Sequence, residues 1–166
     1  FEDIIQSAAD ENAFTGWLLA HAPISITKPD IEKTAFAASD GRIYVNPAFF
    51  NAIYRLSEEK SFSTKEIYGL YAYVLTHEMA HIVLQHPWMM QKIYFEEKDS
   101  GTFEIKRDLM NISQDYIINT TFCNPLYNYA PYRELGAISD KRDFIEAVGS
   151  LAAVLEVEKA LKEISN

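Results

Sequence analysis

The chain has a single cysteine, Cys123, among its 166 residues. One thiol can form neither an internal disulfide nor a zinc site built from several thiolates, so any metal site must use histidine and carboxylate side chains. A lone cysteine is typical of proteins in a reducing compartment. We therefore predict a cytoplasmic protein in which Cys123 is a small core residue rather than a nucleophile.

Positive charge is also scarce. The chain has 15 Lys and Arg residues against 24 Asp and Glu residues, a net charge of −9, and the basic residues are scattered. Nucleic-acid-binding proteins concentrate positive charge on one surface, so we predict no nucleic-acid partner. The six glycines form neither a phosphate-binding loop nor a G-x-S-x-G motif, which leaves nucleotide-dependent and serine-hydrolase functions without support.

Long apolar runs are absent as well. The longest, residues 67–84, is interrupted by His77, Glu78 and His81, and the first residues lack the pattern of a signal peptide, so we predict no membrane association. With 48% hydrophobic residues, the chain can bury a core as one domain, residues 1–166. Because it begins at Phe1 and not at methionine, we also expect a flanking domain or a protein partner outside it.

The hydrophobic patterns predict an α+β fold, a small antiparallel sheet packed on several helices. Apolar residues in 24–27 alternate like a strand, and two extended runs around Ser39-Asp40-Gly41 predict a β-hairpin. Residues 92–105 fit either a second hairpin or a helix followed by a loop. The predicted helices span residues 2–20, 47–56, 64–85, 107–122 and 141–164, with Asn46, Ser63 and either Ser139 or Asp140 as N-caps.

The most informative motif is His77-Glu78-Met79-Ala80-His81, an H-E-x-x-H sequence inside a predicted helix. Helical positions four apart lie about 40° apart around the axis and about 6 Å along it, so His77 and His81 can share one metal ion. Glu78 lies one step around the helix, within reach of a water on that metal. The motif predicts one zinc ion per chain, with Glu78 as the general base of a hydrolase.

A catalytic zinc ion needs a third protein ligand. His86 follows His77 by nine residues and would lie about 180° around a continuous helix, so we expect it to cap the helix C-terminus instead. Leu84 and Pro87 stand where an extended H-E-x-x-H-x-x-G-x-x-H motif would have Gly and His.

The second helix offers a better third ligand. Asp108, Asn111, Asp115 and Asn119 lie within about 80° of one another on a helix that is otherwise mostly apolar. One interpretation is a partly exposed polar stripe. The other is that Asp115 completes a His77–His81–Asp115 site, with Asn111 and Asn119 orienting the ligands from one turn away.

These motifs resemble the metallopeptidase domain that lies N-terminal to von Willebrand A-like domains in bacterial and phage proteins. Asn111-Ile-Ser-Gln-Asp115-Tyr-Ile-Ile-Asn119 is similar to its W-N-x-A-x-D-x-x-I-N helix, although Met110 and Ser113 replace Trp and Ala. Ser39-Asp40-Gly41-Arg42-Ile43-Tyr44-Val45-Asn46-Pro47 is similar to its T-D-G-R-x-x-x-N-P segment. The resemblance covers about residues 34–120, and it implies a zincin-like fold and a zinc metallopeptidase acting on a peptide or protein substrate.

In zincin-like folds an edge strand beside the H-E-x-x-H helix pairs with the extended substrate. We assign that role to the predicted strand formed by Arg42, Ile43, Tyr44 and Val45. The residue that stabilises the oxyanion has no clear signal in the sequence. Its candidates are Tyr116, Tyr127, Tyr129 and Tyr132.

Two other functions compete with the peptidase. One is a catalytically inactive metal-binding module that takes part in protein interactions, which a peptidase assay would separate from the enzyme. The other is a metal-free helical domain in which the motif is coincidental, which the metal content of the purified protein would exclude.

Overall fold

The computed structural model describes residues 1–28, 34–98, 103–127, 138 and 140–164, with side chains described as far as residue 156. Its strands are β1 (Ile24–Ile26), β2 (Ala35–Ala37) and β3 (Ile43–Val45). Its helices are α1 (Glu2–Glu11), α2 (Ala13–His21), α3 (Pro47–Glu59), α4 (Thr64–Val83), α5 (His86–Glu97), α6 (Phe103–Ile118), α7 (Asn124–Leu126) and α8 (Lys141–Ile164), with a π-helical segment, Asn119–Cys123, between α6 and α7. This is an α+β architecture, as predicted.

The sheet is mixed, which corrects the prediction of an antiparallel one. Strands β2 and β3 form the predicted hairpin, in which Phe36 pairs with Tyr44. The turn needs Gly41, whose φ of 80° is unfavourable for other residues. Strand β1 then adds to the other side of β3 in a parallel orientation, so the strand order is β1-β3-β2. Strand β3 is therefore central and β2 lies at an edge.

The predicted helix over residues 2–20 is two helices, broken at Asn12. Asn12 has an extended backbone, with φ −156° and ψ 115°, and its side chain accepts a hydrogen bond from the Thr15 N–H at 3.0 Å. Asparagine competes for backbone hydrogen bonds in this way, and so it favours a helix N-cap over a helix interior. The break lets α2 fold back against α1.

Gly16 allows the close approach of α1 and α2. A Cβ atom at position 16 would lie 2.4 Å from the Cβ and 2.6 Å from the Cα of Ala9. We expect Gly16→Ala to destabilise the protein by about 1–3 kcal/mol or more in urea unfolding, because backbone must move to relieve the overlap. Gly149→Ala is the matched control: its Cβ would contact nothing within 4 Å, and alanine favours a helix interior by about 1 kcal/mol. Equal unfolding midpoints for the two variants would contradict this packing.

Other predicted helix ends are close to those observed. The Asn46 side chain accepts from the Ala48 N–H at 2.8 Å with Pro47 in the first turn, as predicted, although α3 continues to Glu59. Asp140 caps α8 by accepting from the backbone N–H groups of Arg142 and Asp143. The alternative cap, Ser139, lies outside the described residues.

Residues 92–97 and 103–105 are helical, which favours the helix over the hairpin alternative for 92–105; residues 99–102 lie outside the described part of the chain. No helix in the described ranges combines the length and apolar character that a bilayer crossing would need.

Helix α4 is the centre of the structure. It packs against α1, α2 and α3, which precede it in the sequence, and against α5 and α6, which follow it. It also contacts strands β2 and β3. Leu70, Ala72 and Leu75 of α4 are fully buried together with Ile43 of β3 and Ile118 of α6. A helix that is buried on most of its circumference can bring its polar residues into contact with several other elements.

Candidate metal centre

Helix α4 begins at the predicted capping box. The Glu66 N–H donates to Ser63 Oγ at 3.3 Å, and the Ser63 N–H donates to Glu66 Oε2 at 2.7 Å. These two hydrogen bonds satisfy backbone donors that a helix N-terminus leaves without partners. The helix then runs to Val83, two residues short of the predicted end, and presents His77 and His81 on the face that meets α6.

His77, His81 and Asp115 converge where α6 crosses α4. His81 Nε2 lies 3.0 Å from His77 Nε2 and 3.1 Å from Asp115 Oδ1, and His77 Nε2 lies 3.4 Å from the same Asp115 oxygen. The three side chains are close enough to hold a metal ion. This is the triad that the sequence predicted.

The arrangement of these three atoms fits zinc. In a tetrahedral site with bonds of about 2.0–2.2 Å, ligand atoms lie about 3.3 Å apart. The observed separations, from 3.0 to 3.4 Å, bracket that value. Two imidazoles and one carboxylate also leave a fourth position open for water or substrate, which is the usual donor set of a catalytic zinc site.

Asn119 sets the tautomer of His77. The Asn119 amide nitrogen donates to the carbonyl of Ile138 at 2.8 Å, so its Oδ1 must face the other way. That oxygen lies 2.7 Å from His77 Nδ1 and accepts from the Tyr73 hydroxyl at 2.8 Å. Because an amide oxygen can only accept, His77 Nδ1 carries a proton, and Nε2 is the ring nitrogen that can offer a lone pair to a metal ion. Asn119 therefore has the contact expected of a residue that orients a ligand.

His86 contacts the second imidazole. Its Nδ1 lies 3.0 Å from His81 Nδ1, on the side of the ring opposite the cluster. A continuous helix would place His86 on the far side, but α4 ends at Val83, and Gln85 adopts a left-handed conformation with φ 60°. This turn brings His86, at the start of α5, back against α4. His86 is not one of the three clustered ligands, and its ring contacts His81 where capping of the helix end had been expected.

The charges in the cluster favour a cation between its atoms. Burial acts to lower the pKa of His77, but the hydrogen bond with Asp115 and the nearby acidic groups outweigh it and raise that pKa well above its ordinary value. Burial acts to raise the pKa of Asp115, but hydrogen bonds from His77 and His81 hold it far below its ordinary range. Both shifts favour a proton on His77 and a charge on Asp115, so a metal ion would compete with a proton for the His77 nitrogen.

Glu78 lies in the same cavity as the cluster. Burial raises the pKa of its carboxyl group and Asp115 adds to that effect, while His77 and His81 oppose it and the Ala37 N–H stabilises the carboxylate by a hydrogen bond. A carboxylate with a raised pKa is suited to accept a proton near neutral pH.

The cavity has a volume of about 540 Å³ and is lined by α4, α5, α6 and residues 34–39 of the sheet. A second cavity of about 160 Å³ shares Thr34, Ala35, His77, Glu78 and Asp115 with the first. Its other walls include Phe49 and Tyr73. Glu78, His77 and Asp115 therefore line both cavities.

The strand predicted to bind substrate, Arg42–Val45, does not lie at an edge of the sheet. Strand β3 pairs with β1 on one side and β2 on the other, so its backbone hydrogen-bonding groups already have partners. Tyr44 also stacks on Phe36 and donates to Asp40 at 2.7 Å. The sequence did not predict that β3 is central, because its parallel partner β1 lies before the hairpin and no residue of the hairpin indicates a third strand.

The strand that borders the cavity is β2. The Ala38 N–H donates to the Arg42 carbonyl, and the Asn46 N–H donates to the Thr34 carbonyl. These two hydrogen bonds show that the backbone groups of Thr34 and Ala38 face β3. By alternation, Ala35 and Ala37 direct their N–H and C=O groups away from β3, towards the open edge.

The other predicted site residues lie near the centre without contacting the cluster. Asn111 is exposed at the cavity wall one turn before Asp115, and within the described residues it makes no hydrogen bond to the three ligands. Tyr116 packs on Phe144, and the buried Tyr127 hydroxyl lies 2.7 Å from Thr76 Oγ1, and neither residue lines the cavities that contain Glu78. Tyr129 and Tyr132 lie outside the described residues.

Two features of the site had no signal in the sequence. One is the contact between His86 and His81, which depends on the turn at Gln85. The other is Gln114, a cavity residue that is only 6% exposed and whose amide nitrogen has no hydrogen-bond partner among the described residues. Cys123 is fully buried, in agreement with its predicted place in the core, and burial raises the pKa of its thiol.

Comparisons of the chain with protein-family models, with curated proteins and with solved structures find no match. The resemblance to a metallopeptidase domain therefore stays a prediction. The case for a function depends on the geometry of the site itself.

Proposed function

We propose that this protein is a zinc-dependent metalloendopeptidase. The observation that carries the proposal is the convergence of His77, His81 and Asp115 within 3.4 Å of one another, in an open cavity that also contains Glu78. Two imidazoles, one carboxylate and an adjacent general base are the parts that metal-assisted hydrolysis requires.

The chain's own residues hold the ion. His77 and His81 would ligate through Nε2 and Asp115 through Oδ1, with Asn119 keeping the His77 lone pair turned to the centre. Zinc bound in such a site lowers the pKa of its water to about 7 and polarises a carbonyl oxygen.

Glu78 performs the proton transfers. It accepts a proton from the attacking water as the new C–O bond forms at the scissile carbonyl. It then gives that proton to the leaving nitrogen as the C–N bond breaks, so that a carboxylic acid and an amine are released. The burial of Glu78 beside Asp115 supports this role, because both raise the pKa of its carboxyl group.

We assign the substrate to the edge strand β2. An extended peptide can pair by strand addition with the outward N–H and C=O groups of Ala35 and the outward C=O of Ala37, whose N–H bonds to Glu78. Glu78 lines both cavities, and we infer that they take substrate side chains on the two sides of the scissile bond. Room on both sides favours cleavage within a chain over removal of a terminal residue.

The proposal is tested by metal analysis together with a peptidase assay. We expect one zinc ion per purified chain, and cleavage of internal bonds in a mixed peptide library followed by mass spectrometry. A chelator should stop cleavage and added zinc should restore it. Stoichiometric zinc without cleavage would favour the inactive metal-binding module instead. A chain that binds no metal would overturn both functions.

A further inference from the structure

The two histidine ligands have matching contacts on their outer nitrogens. His77 Nδ1 lies 2.7 Å from Asn119 Oδ1, and His81 Nδ1 lies 3.0 Å from His86 Nδ1. The inner nitrogens, both Nε2, face each other and Asp115. Asn119 comes from the π-helical segment that follows α6 and His86 from the start of α5, so two different elements contact the two rings.

A hydrogen bond between two imidazole nitrogens needs one donor and one acceptor. A neutral imidazole that ligates zinc through Nε2 carries its proton on Nδ1. The bond at 3.0 Å is therefore compatible with zinc on His81 only if His81 Nδ1 donates and His86 Nδ1 accepts. The opposite arrangement, with the proton on His86 Nδ1, would put the His81 proton on Nε2 and block the metal.

We propose that His86 is a positioning residue for the metal, which selects the Nδ1–H tautomer of His81 and so turns its Nε2 lone pair towards zinc. This inference rests on the proposed zinc site. His86 would act on the metal through His81, as Asn119 does through His77, without ligating the ion itself.

The backbone holds His86 in this position. Gln85 turns the chain with a φ of 60°, and Pro87 restricts the first turn of α5. The His86 residue is 8% exposed, so its ring is packed against its neighbours and has little freedom to turn away from His81. Helix α5 packs against both α4 and α6, the two helices that carry the ligands.

Two substitutions of nearly equal shape test the hydrogen bond. Asparagine places an amide oxygen at the same distance from the backbone as His86 Nδ1, whereas leucine places methyl groups there. We expect zinc affinity, measured by competition with a chromophoric chelator, to stay near the parent value in His86→Asn. In His86→Leu we expect it to fall about 10- to 100-fold, the usual effect of removing an outer partner of a ligating histidine.

Replacing zinc with Co²⁺ gives a second measurement, the visible absorption of the metal site, which a change in side-chain packing alone would not alter. The visible absorption of the Co²⁺-loaded protein should match the parent in His86→Asn and shift in His86→Leu. Thermal unfolding of the metal-free proteins would show whether either variant is misfolded. Nitrogen-15 NMR of the zinc-loaded parent protein needs no variant, and it should find the proton on His81 Nδ1.

Several results would overturn the proposal. Parental zinc affinity and an unchanged cobalt spectrum in His86→Leu would show that the hydrogen bond has no effect on the metal. An equal loss of zinc affinity in both variants would show that the effect comes from the imidazole ring of His86 and not from its hydrogen-bond acceptor. A proton found on His86 Nδ1 would reverse the donor and acceptor. If the parent protein bound no zinc, the proposed function itself would fail, which is a separate outcome from these three.

Discussion

Replacing Glu78 with glutamine is expected to reduce peptide hydrolysis by about 10²- to 10⁴-fold while zinc stays bound. The amide keeps the size of the side chain but cannot accept a proton from the attacking water. A loss of this size corresponds to about 3–5 kcal/mol of transition-state stabilisation. Cleavage rates and zinc content measured on the same preparation would check the expectation.

The zinc measurement matters because Glu78 is not among the three clustered ligands. The variant should also fold at least as well as the parent, since burial disfavours the Glu78 carboxylate and glutamine carries no charge. Glu59→Gln makes the same chemical change at an exposed position at the end of α3, and it should leave cleavage unchanged. Parental cleavage by the Glu78 variant would refute the mechanism.

Replacing Asp115 with asparagine is expected to weaken zinc binding by more than about 100-fold. This is a larger loss of affinity than removal of a residue that only orients a ligand would cause. The substitution removes the only negative charge among the three ligands and leaves two neutral imidazoles. Hydrolysis should fall with zinc occupancy. Chelator competition gives the affinity, and activity at saturating zinc separates weak binding from impaired chemistry.

Asp108→Asn is the control for this experiment. Asp108 lies two turns earlier on α6, on nearly the same side of the helix, but its carboxylate pairs with Arg107 at 2.8 Å and not with the cluster. Its substitution should leave zinc affinity at the parent value. Retention of zinc by the Asp115 variant at parental affinity would remove Asp115 from the ligand set.

The two histidines could be predicted from sequence because their geometry is local. Once residues 64–83 form a helix, the spacing of His77 and His81 puts both rings on one face whatever else the chain does. The Ser63 capping box and the Asn46-Pro47 helix start are local in the same sense, since each depends on hydrogen bonds over two or three residues.

Asp115 was only partly a local prediction. Helical phase groups it with Asn111 and Asn119, but phase alone says nothing about which helix this face meets. The packing of α6 across α4 gives the polar residues of this helix face different positions relative to the histidines. Asp115 reaches both histidines and Asn119 reaches one, while Asn111 stays at the wall of the cavity.

The two errors at the site concern contacts between segments. Strand β3 was expected at an edge because the hairpin alone has two free sides, and only the parallel addition of β1 covers one of them. His86 was placed on the far side of a continuous helix, although the chain leaves the helix at Leu84 and turns at Gln85. A single residue with positive φ redirects everything that follows it, and glutamine carries no signal for such a turn.

The sequence by itself therefore determined helices α3, α4, α6 and α8, the H-E-x-x-H pair and the list of candidate ligands, because these depend on spacing along one element. The tertiary structure alone decided which strand is the edge, which histidine supports His81 and how the three ligand atoms come within 3.4 Å of one another. These depend on how buried faces pack around α4. The physical reason is that local hydrogen bonds and helical phase are set by near neighbours, whereas packing depends on apolar surface contributed by the whole chain.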